Sequence, residues 1–285
     1  MGRIAASAVA LAILTCTATA AATLRASLFD YDPAAPLHLA VAKTVTSHGA
    51  LRQDVRFDAG SVRLKAYYVH PRSGGPWPLV VWSPGNGGDR REELPDAYAL
   101  AHVGIASLLV DPPNGELVRC QADEDFGVYV RYVVSRRRAV DVAERLPNVD
   151  PKRVAAAGFS FGASVTGTLA GVEHRFTAFV VESGRGHHTG FMRKVCESLS
   201  KRAFTAYARK LGVVDPVRWV PEAGPSAMLI QHGTRDPWST KADVRALYAA
   251  ARRPKELRTY RAGHELNRAA LRDRVAWLRR HLRGG

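Results

Sequence analysis

The sequence predicts an α/β fold, with a mostly parallel central sheet and helices on both faces. Short continuous apolar runs such as Pro78 to Trp82, Val154 to Ala157 and Ala227 to Gln231 have the length of strands buried on both faces. They alternate with segments of helical spacing, the order that βαβ units require. The polar residues that follow the runs sit in short loops, and in such sheets those loops gather beyond the carboxyl ends of the strands.

Residues 23–50 contain Asp30-Tyr31-Asp32-Pro33 and Pro36 with little periodicity, and are expected to form an arm lying on the domain. Leu51 to Asp58 alternates apolar with polar, Ala59-Gly60 turns, and Val62 to Val69 places Val62, Leu64, Ala66 and Tyr68 on one face. This pattern predicts an antiparallel hairpin at the sheet edge. The buried strand from Pro78 ends in Ser83-Pro84-Gly85-Asn86-Gly87-Gly88-Asp89. A helix from about Arg90 to His102, a strand Ile105 to Asp111, a loop through Cys120 and a helix from about Phe126 to Leu146 follow. The next strand runs into a helix at Ala163 to Gly171, and Phe176 to Glu182 reads as another strand. From 184 to 224 the pattern turns irregular and helical, which predicts a small cap insertion. Strand Ala227 to Gln231, helix Lys241 to Arg252, strand Glu256 to Arg261 and amphipathic helix Leu266 to Leu282 complete one domain over 51–285, with no internal repeat.

The 285 residues are 46% hydrophobic, enough for a sizeable core, and carry a net charge of +15. That excess points to a polyanionic partner only if the arginines cluster. They are scattered, and Arg136-Arg137-Arg138, Arg252-Arg253 and Arg279-Arg280 read as solvated helix faces. No nucleic-acid motif accompanies them, so no nucleic-acid partner is expected.

Arg3, the apolar segment Ile4 to Leu14 and the small residues Ala18-Thr19-Ala20 and Ala20-Ala21-Ala22 have the layout of a secretory signal peptide over 1–22. The segment is short for a membrane span, so the mature chain is expected to be secreted, extracellular or periplasmic, with no stable span; an uncleaved anchor is the alternative. Cleavage removes Cys16 and leaves Cys120 and Cys196, which pair as one disulfide in an oxidising compartment or stay as two thiols.

The chemistry centres on Gly158-Phe159-Ser160-Phe161-Gly162, between a strand of small residues and a helix. A serine on a tight strand-to-helix turn needs glycines two residues away on each side, so that backbones can approach while the hydroxyl stands clear. Ser160 is the candidate nucleophile. A hydroxyl needs an imidazole to take its proton and a carboxylate to hold that imidazole in the right tautomer. His264 lies in the loop after the last strand and Asp236 in the loop after the preceding one. Asp111 is the fallback acid, and Asp243 falls inside a helix pattern. The Gly85 to Gly88 loop lacks the lysine and Ser/Thr of a nucleotide-phosphate loop. It reads instead as a source of backbone N–H donors. His232 reads as a structural residue at a strand end. His187-His188 have no third ligand at a metal-site spacing, and neither metal nor cofactor is expected.

The order Ser160, Asp236, His264, with the Gly233 to Asp236 loop and Gly263-His264, resembles the α/β-hydrolase superfamily from about Leu51 onward. Phe29-Asp30-Tyr31-Asp32-Pro33 with Pro36-Leu37 is similar to the start of secreted bacterial members near the dienelactone-hydrolase and prolyl-oligopeptidase-like branches. The serine departs from the cysteine nucleophile of dienelactone hydrolases themselves. The resemblance implies an oxyanion hole from the backbone N–H of Phe161 and of Asn86. Pro84-Gly85 stands where family members usually show His-Gly, which makes Gly87 the second choice for the latter.

Together these features predict a secreted serine hydrolase that cleaves a small-molecule carboxylic ester through an acyl-enzyme. A peptidase or amidase of the same fold is the first alternative. A catalytically silent protein that binds a polyanion or the cell envelope is the second.

Overall fold

The strand patterns fold into one sheet because each apolar run buries both of its faces. In the computed structural model, which describes residues 27–113 and 118–283, nine strands are arranged in the order β1-β2-β3-β5-β4-β6-β7-β8-β9. They are β1 Ala40–Ser47, β2 Ala50–Ala59, β3 Val62–His70, β4 Trp77–Ser83, β5 Ala106–Val110, β6 Val149–Phe159, β7 Ala178–Glu182, β8 Ala227–Gly233 and β9 Lys255–Tyr260. The strands β5, β4, β6, β7, β8 and β9 are mutually parallel, while β1, β2 and β3 form an antiparallel extension joined to β5. Residues 1–22, expected to be a signal peptide, and Cys16 within them lie outside the described residues.

The helices are α1 Leu94–Ala101, α2 Ala122–Ala143, α3 Phe161–Leu169, α4 His188–Val195, α5 Lys201–Leu211, α6 Lys241–Ala250 and α7 Arg268–His281. Alternation along the strands divides the core in two. Val80, Trp82, Ala155, Ala157 and Val180 pack with α1 and α7 on one face. Leu79, Val81, Val154, Ala156 and Phe179 pack with α2, α3 and α6 on the other. This period of two, with helices on both sides, is the layered α/β architecture that the sequence predicts. Residues 184–224 hold α4, α5 and three short 3₁₀ turns, and one disulfide, Cys120–Cys196, ties the end of α4 to the loop before α2 with 5.5 Å between Cα atoms.

Two expectations are corrected. The segment 23–50 contains β1, which pairs antiparallel with β2 and takes the sheet edge. Its residues are mostly exposed on both faces, so no apolar period marks it in the sequence. The arginine triplet is not a solvated face. Arg136 and Arg138 are 0% and 1% exposed. Arg136 donates to Ser83 Oγ at 2.9 Å and to the Val110 carbonyl at 2.8 Å, at the ends of β4 and β5. Arg137 donates to the Phe29 carbonyl, and Arg138 to Asp141 and the Ala35 carbonyl. These arginines clamp the N-terminal segment to α2, with Tyr31 under the Arg137 and Arg138 guanidinium groups. Arg252, Arg253, Arg279 and Arg280 are exposed, as expected.

Candidate active site

Strand pairing brings the glycine loop to the serine. β4 and β6 are parallel neighbours, with Trp82 opposite Ala157 and Ser83 opposite Gly158, so the loop leaving β4 and the turn leaving β6 emerge side by side. Ser160 sits on that turn with φ 54° and ψ −111°, in a region that residues with a side chain rarely occupy. Its N–H is held by the Glu182 carbonyl at 2.9 Å. The flanking glycines are a steric requirement. A Cβ on Gly162 would stand 2.0 Å from the Ser83 carbonyl oxygen, and one on Gly158 would stand 2.3 Å from the Gly162 oxygen.

The histidine and the aspartate arrive on the loops after β9 and β8. These loops touch at their own glycines, since a Cβ on Gly233 would be 2.1 Å from the Gly263 oxygen. The buried Ser183 locks them together: its hydroxyl donates to the His264 carbonyl at 2.6 Å, and its own carbonyl accepts from Ser239 Oγ at 2.8 Å. His264 Nδ1 lies 2.9 Å from Asp236 Oδ2, and His264 Nε2 lies 2.8 Å from Ser160 Oγ. A carboxylate only accepts, so Nδ1 carries the proton toward Asp236 and Nε2 faces the serine hydroxyl as acceptor. Burial raises the Asp236 carboxyl, but the His264 hydrogen bond and the Trp238 and Ser239 amides outweigh it and leave the group below its ordinary range.

The glycine loop is partly engaged. Gly85 N–H donates to Glu92 Oε2 at 2.6 Å, and Gly88 N–H donates to the Gly85 carbonyl at 3.1 Å. Among the described residues the amides of Asn86, Gly87 and Phe161 donate to no protein acceptor. Burial pushes the Glu92 carboxyl up. A cleft of about 330 Å³ opens over Ser160, bordered by Asn86, Glu92, Phe159, His264, Arg185, Phe191 and Trp238.

The competing candidates lie elsewhere. Asp111 holds the Arg90 guanidinium and amide, and Asp243 accepts from the His187 ring and amide. His188 is buried against Tyr129, Phe161 and Phe191, and burial drives it down to about 3. The two adjacent histidines thus point into different surroundings. His232 is buried at the end of β8.

A match at this depth of architecture extends to solved proteins. The structure is similar to an acetyl xylan esterase from Paenibacillus sp. R4, with 20% identity, a TM-score of 0.71 and 92% of each chain covered. It is also similar to acetyl xylan esterase 1 from Thermoanaerobacterium sp. JW/SL YS485, with 16% identity, a TM-score of 0.75 and coverage of 92% of this chain and 94% of that one. The chain has the α/β-hydrolase fold. Est1E from Butyrivibrio proteoclasticus shares the hydrolase fold at 17% identity and a TM-score of 0.62, over 80% of this chain and 96% of that one. At these identities the likeness is one of fold. No protein-family model matches the sequence, and neither does any curated protein.

Beneath the elbow of this hydrolase fold lies a charge cluster that sequence reasoning missed. Arg274 of α7 pairs with Asp96 of α1 and, at 2.6 Å, with Glu182 of β7, and donates to Gln231 of β8. Glu93 joins them. Burial raises Glu93 well above the ordinary carboxyl range, and Glu182 is pushed up to about 8 by burial against the pull of Arg274. One guanidinium therefore pairs with two of three buried carboxyls, while Glu182 also anchors the Ser160 amide through its backbone. A charged residue closing the otherwise apolar run Ala178 to Glu182 was the one available sign.

Proposed function

We propose that the protein is a serine hydrolase that cleaves a carboxylic ester through an acyl-enzyme. The observation that carries this reading is the continuous hydrogen-bond chain from Ser160 Oγ through the His264 ring to Asp236, built on a strained elbow. His264 Nε2 takes the hydroxyl proton as Oγ attacks the ester carbonyl. Asp236 holds the ring and stabilises the imidazolium. The unengaged amides of Phe161 and of Asn86, or Gly87 next to it, receive the oxyanion, each worth about 3 kcal/mol in the barrier. The imidazolium then protonates the leaving alcohol, and water repeats the cycle on the acyl-enzyme.

The esterase names of the similar structures agree with an ester substrate. The Cys120–Cys196 bridge fits an oxidising compartment and so supports secretion. No helix among the described residues is long and apolar enough to cross a membrane. The inward-facing Arg136 and Arg138 weigh against a polyanion-binding role for the arginine triplet.

The test is Ser160→Ala. It is expected to abolish hydrolysis of short p-nitrophenyl esters and labelling by a fluorophosphonate probe, with the wild-type melting temperature and circular dichroism retained. Undiminished turnover in that variant overturns the assignment.

A further inference from the structure

Four arginines of the described chain are 5% exposed or less: Arg136, Arg138, Arg185 and Arg274. Three are explained by the fold, since Arg136 holds strand ends, Arg138 holds Asp141, and Arg274 holds Asp96 and Glu182. Arg185 is different. It is 2% exposed, yet among the described residues its side chain makes no ion pair and no hydrogen bond, and its Nε is enclosed without a partner. Its guanidinium carbon lies 4.0 Å from the centre of the Phe191 ring. An unpaired buried guanidinium costs a fold more than any neutral residue in its place.

Its position indicates what would repay that cost. Arg185 follows β7 and borders the cleft over Ser160; together with Phe191 and Trp238 it also borders a second cavity of about 430 Å³ between α4 and α6. We propose that Arg185 is the recognition residue for a carboxylate on the substrate, so that the preferred esters carry an anionic group beside the scissile ester; this rests on the ester-hydrolase reading above.

The acids near Arg185 are already engaged. Asp236 accepts from His264 and two amides, and Asp243 accepts from His187. Both act on the Arg185 charge through space, but among the described residues neither forms an ion pair or hydrogen bond with it, so its N–H donors are left for a ligand. A planar guanidinium presents a fork of N–H donors that matches a carboxylate. Phe191 covers one face of that fork, and Trp238, 46% exposed and edge-on to Phe191, completes an aromatic wall along which an apolar linker can lie. The charge of the cleft is graded as well. Glu92 and Glu265 border only the part over Ser160, whereas the part beyond Arg185 is bordered by Lys194 and by a single acid, Asp243. Two acids face Arg185 over Ser160, whereas beyond it two cations face one acid that the His187 ring already engages, so the balance of charge favours an anion in the second part.

The carboxylate can belong to the acyl part or to the alcohol, and paired esters separate the two. Mono-p-nitrophenyl glutarate is compared with p-nitrophenyl pentanoate, and 2-carboxyphenyl acetate with phenyl acetate. In the wild type the charged member of one pair is expected to have at least about a tenfold higher kcat/KM, the scale of a charge-assisted hydrogen bond. In Arg185→Gln that ratio falls to one or below, and Arg185→Lys retains part of it. The ratio is the readout because a general loss of packing lowers both members alike. A structural arginine would also lower the melting temperature when replaced, whereas Arg185→Met is expected to leave it unchanged or raise it. Calorimetry on Ser160→Ala tests the site without turnover: glutarate or salicylate binds and the corresponding amide does not, and the added Arg185→Gln abolishes the difference. Acids bound no better than amides, or a charged-to-neutral ratio unmoved by Arg185→Gln, overturns the proposal. Binding of the acid by a protein that hydrolyses no ester overturns the hydrolase reading and leaves the carboxylate site standing.

Discussion

Replacing Gly162 by alanine puts the elbow geometry to a quantitative test. The added Cβ would lie 2.0 Å from the Ser83 carbonyl oxygen and 2.5 Å from that of Pro84. Both obstacles are backbone atoms, so no rotamer change relieves them, and α3 and the end of β4 must part by roughly 1 Å. Overpacking of this kind costs about 1–3 kcal/mol, or a fall of several degrees in Tm for a domain of this size. The catalytic effect is expected to be larger. Retreat of α3 carries away the Phe161 amide, and retreat of β4 carries away the Gly85 to Gly88 loop, so either movement opens the space between the two proposed oxyanion donors. A misplacement of about 1 Å lowers kcat/KM by about a hundredfold. The assay is p-nitrophenyl acetate hydrolysis beside thermal unfolding. Gly190→Ala is the control: it lies in α4 with nothing within 4 Å of the new Cβ, and alanine there is expected to be neutral or to stabilise by up to about 1 kcal/mol. A Gly162→Ala protein that melts and turns over like the wild type refutes the reasoning.

The disulfide and the buried acids make separate predictions. Cys120 and Cys196 are 76 residues apart, and closing a loop of that length contributes about 4 kcal/mol, so the doubly serine-substituted chain should show a much lower denaturant midpoint, matched by the reduced wild type. Equal midpoints would show that the bridge restrains nothing. Glu93 keeps its proton in the fold because burial and the neighbouring Glu182 and Asp96 raise its carboxyl, whereas the unfolded chain releases it above about pH 4.5. The unfolded state therefore binds fewer protons above that pH, and this contribution to stability is full in acid and declines as pH rises. Glu93→Gln should remove that decline. Urea midpoints of variant and wild type that run parallel from about pH 5 to about pH 8 would contradict it.

Much of the fold was legible because each buried strand had to be apolar on both faces, and that composition survives in Leu79 to Trp82 and Ala227 to Ile230. The serine, aspartate and histidine were legible for a related reason: loops at the carboxyl edge of a parallel sheet converge, so chain order and glycine spacing stand in for distance. What the sequence hid depends on burial of charge. Arg136 and Arg138 look like surface residues in a window of helix, and only their packing against strand ends and the N-terminal segment shows them as clamps. β1 was invisible because a mostly exposed edge strand carries no apolar period. Ser183, which couples the loops of His264 and Asp236, is one small polar residue among many.

The alternation of elements, the glycine spacing around Ser160, the order of Ser160, Asp236 and His264 and the two cysteines available for a bridge are all written in local composition or chain order. Which buried charges find partners is settled on folding. Folding gives partners to Arg136, Arg138 and Arg274, and among the described residues it leaves Arg185 without a hydrogen-bond or ion-pair partner at the edge of the cleft. Pairing is a matter of distances of a few ångströms between segments far apart in the chain, and residue identity carries no record of it.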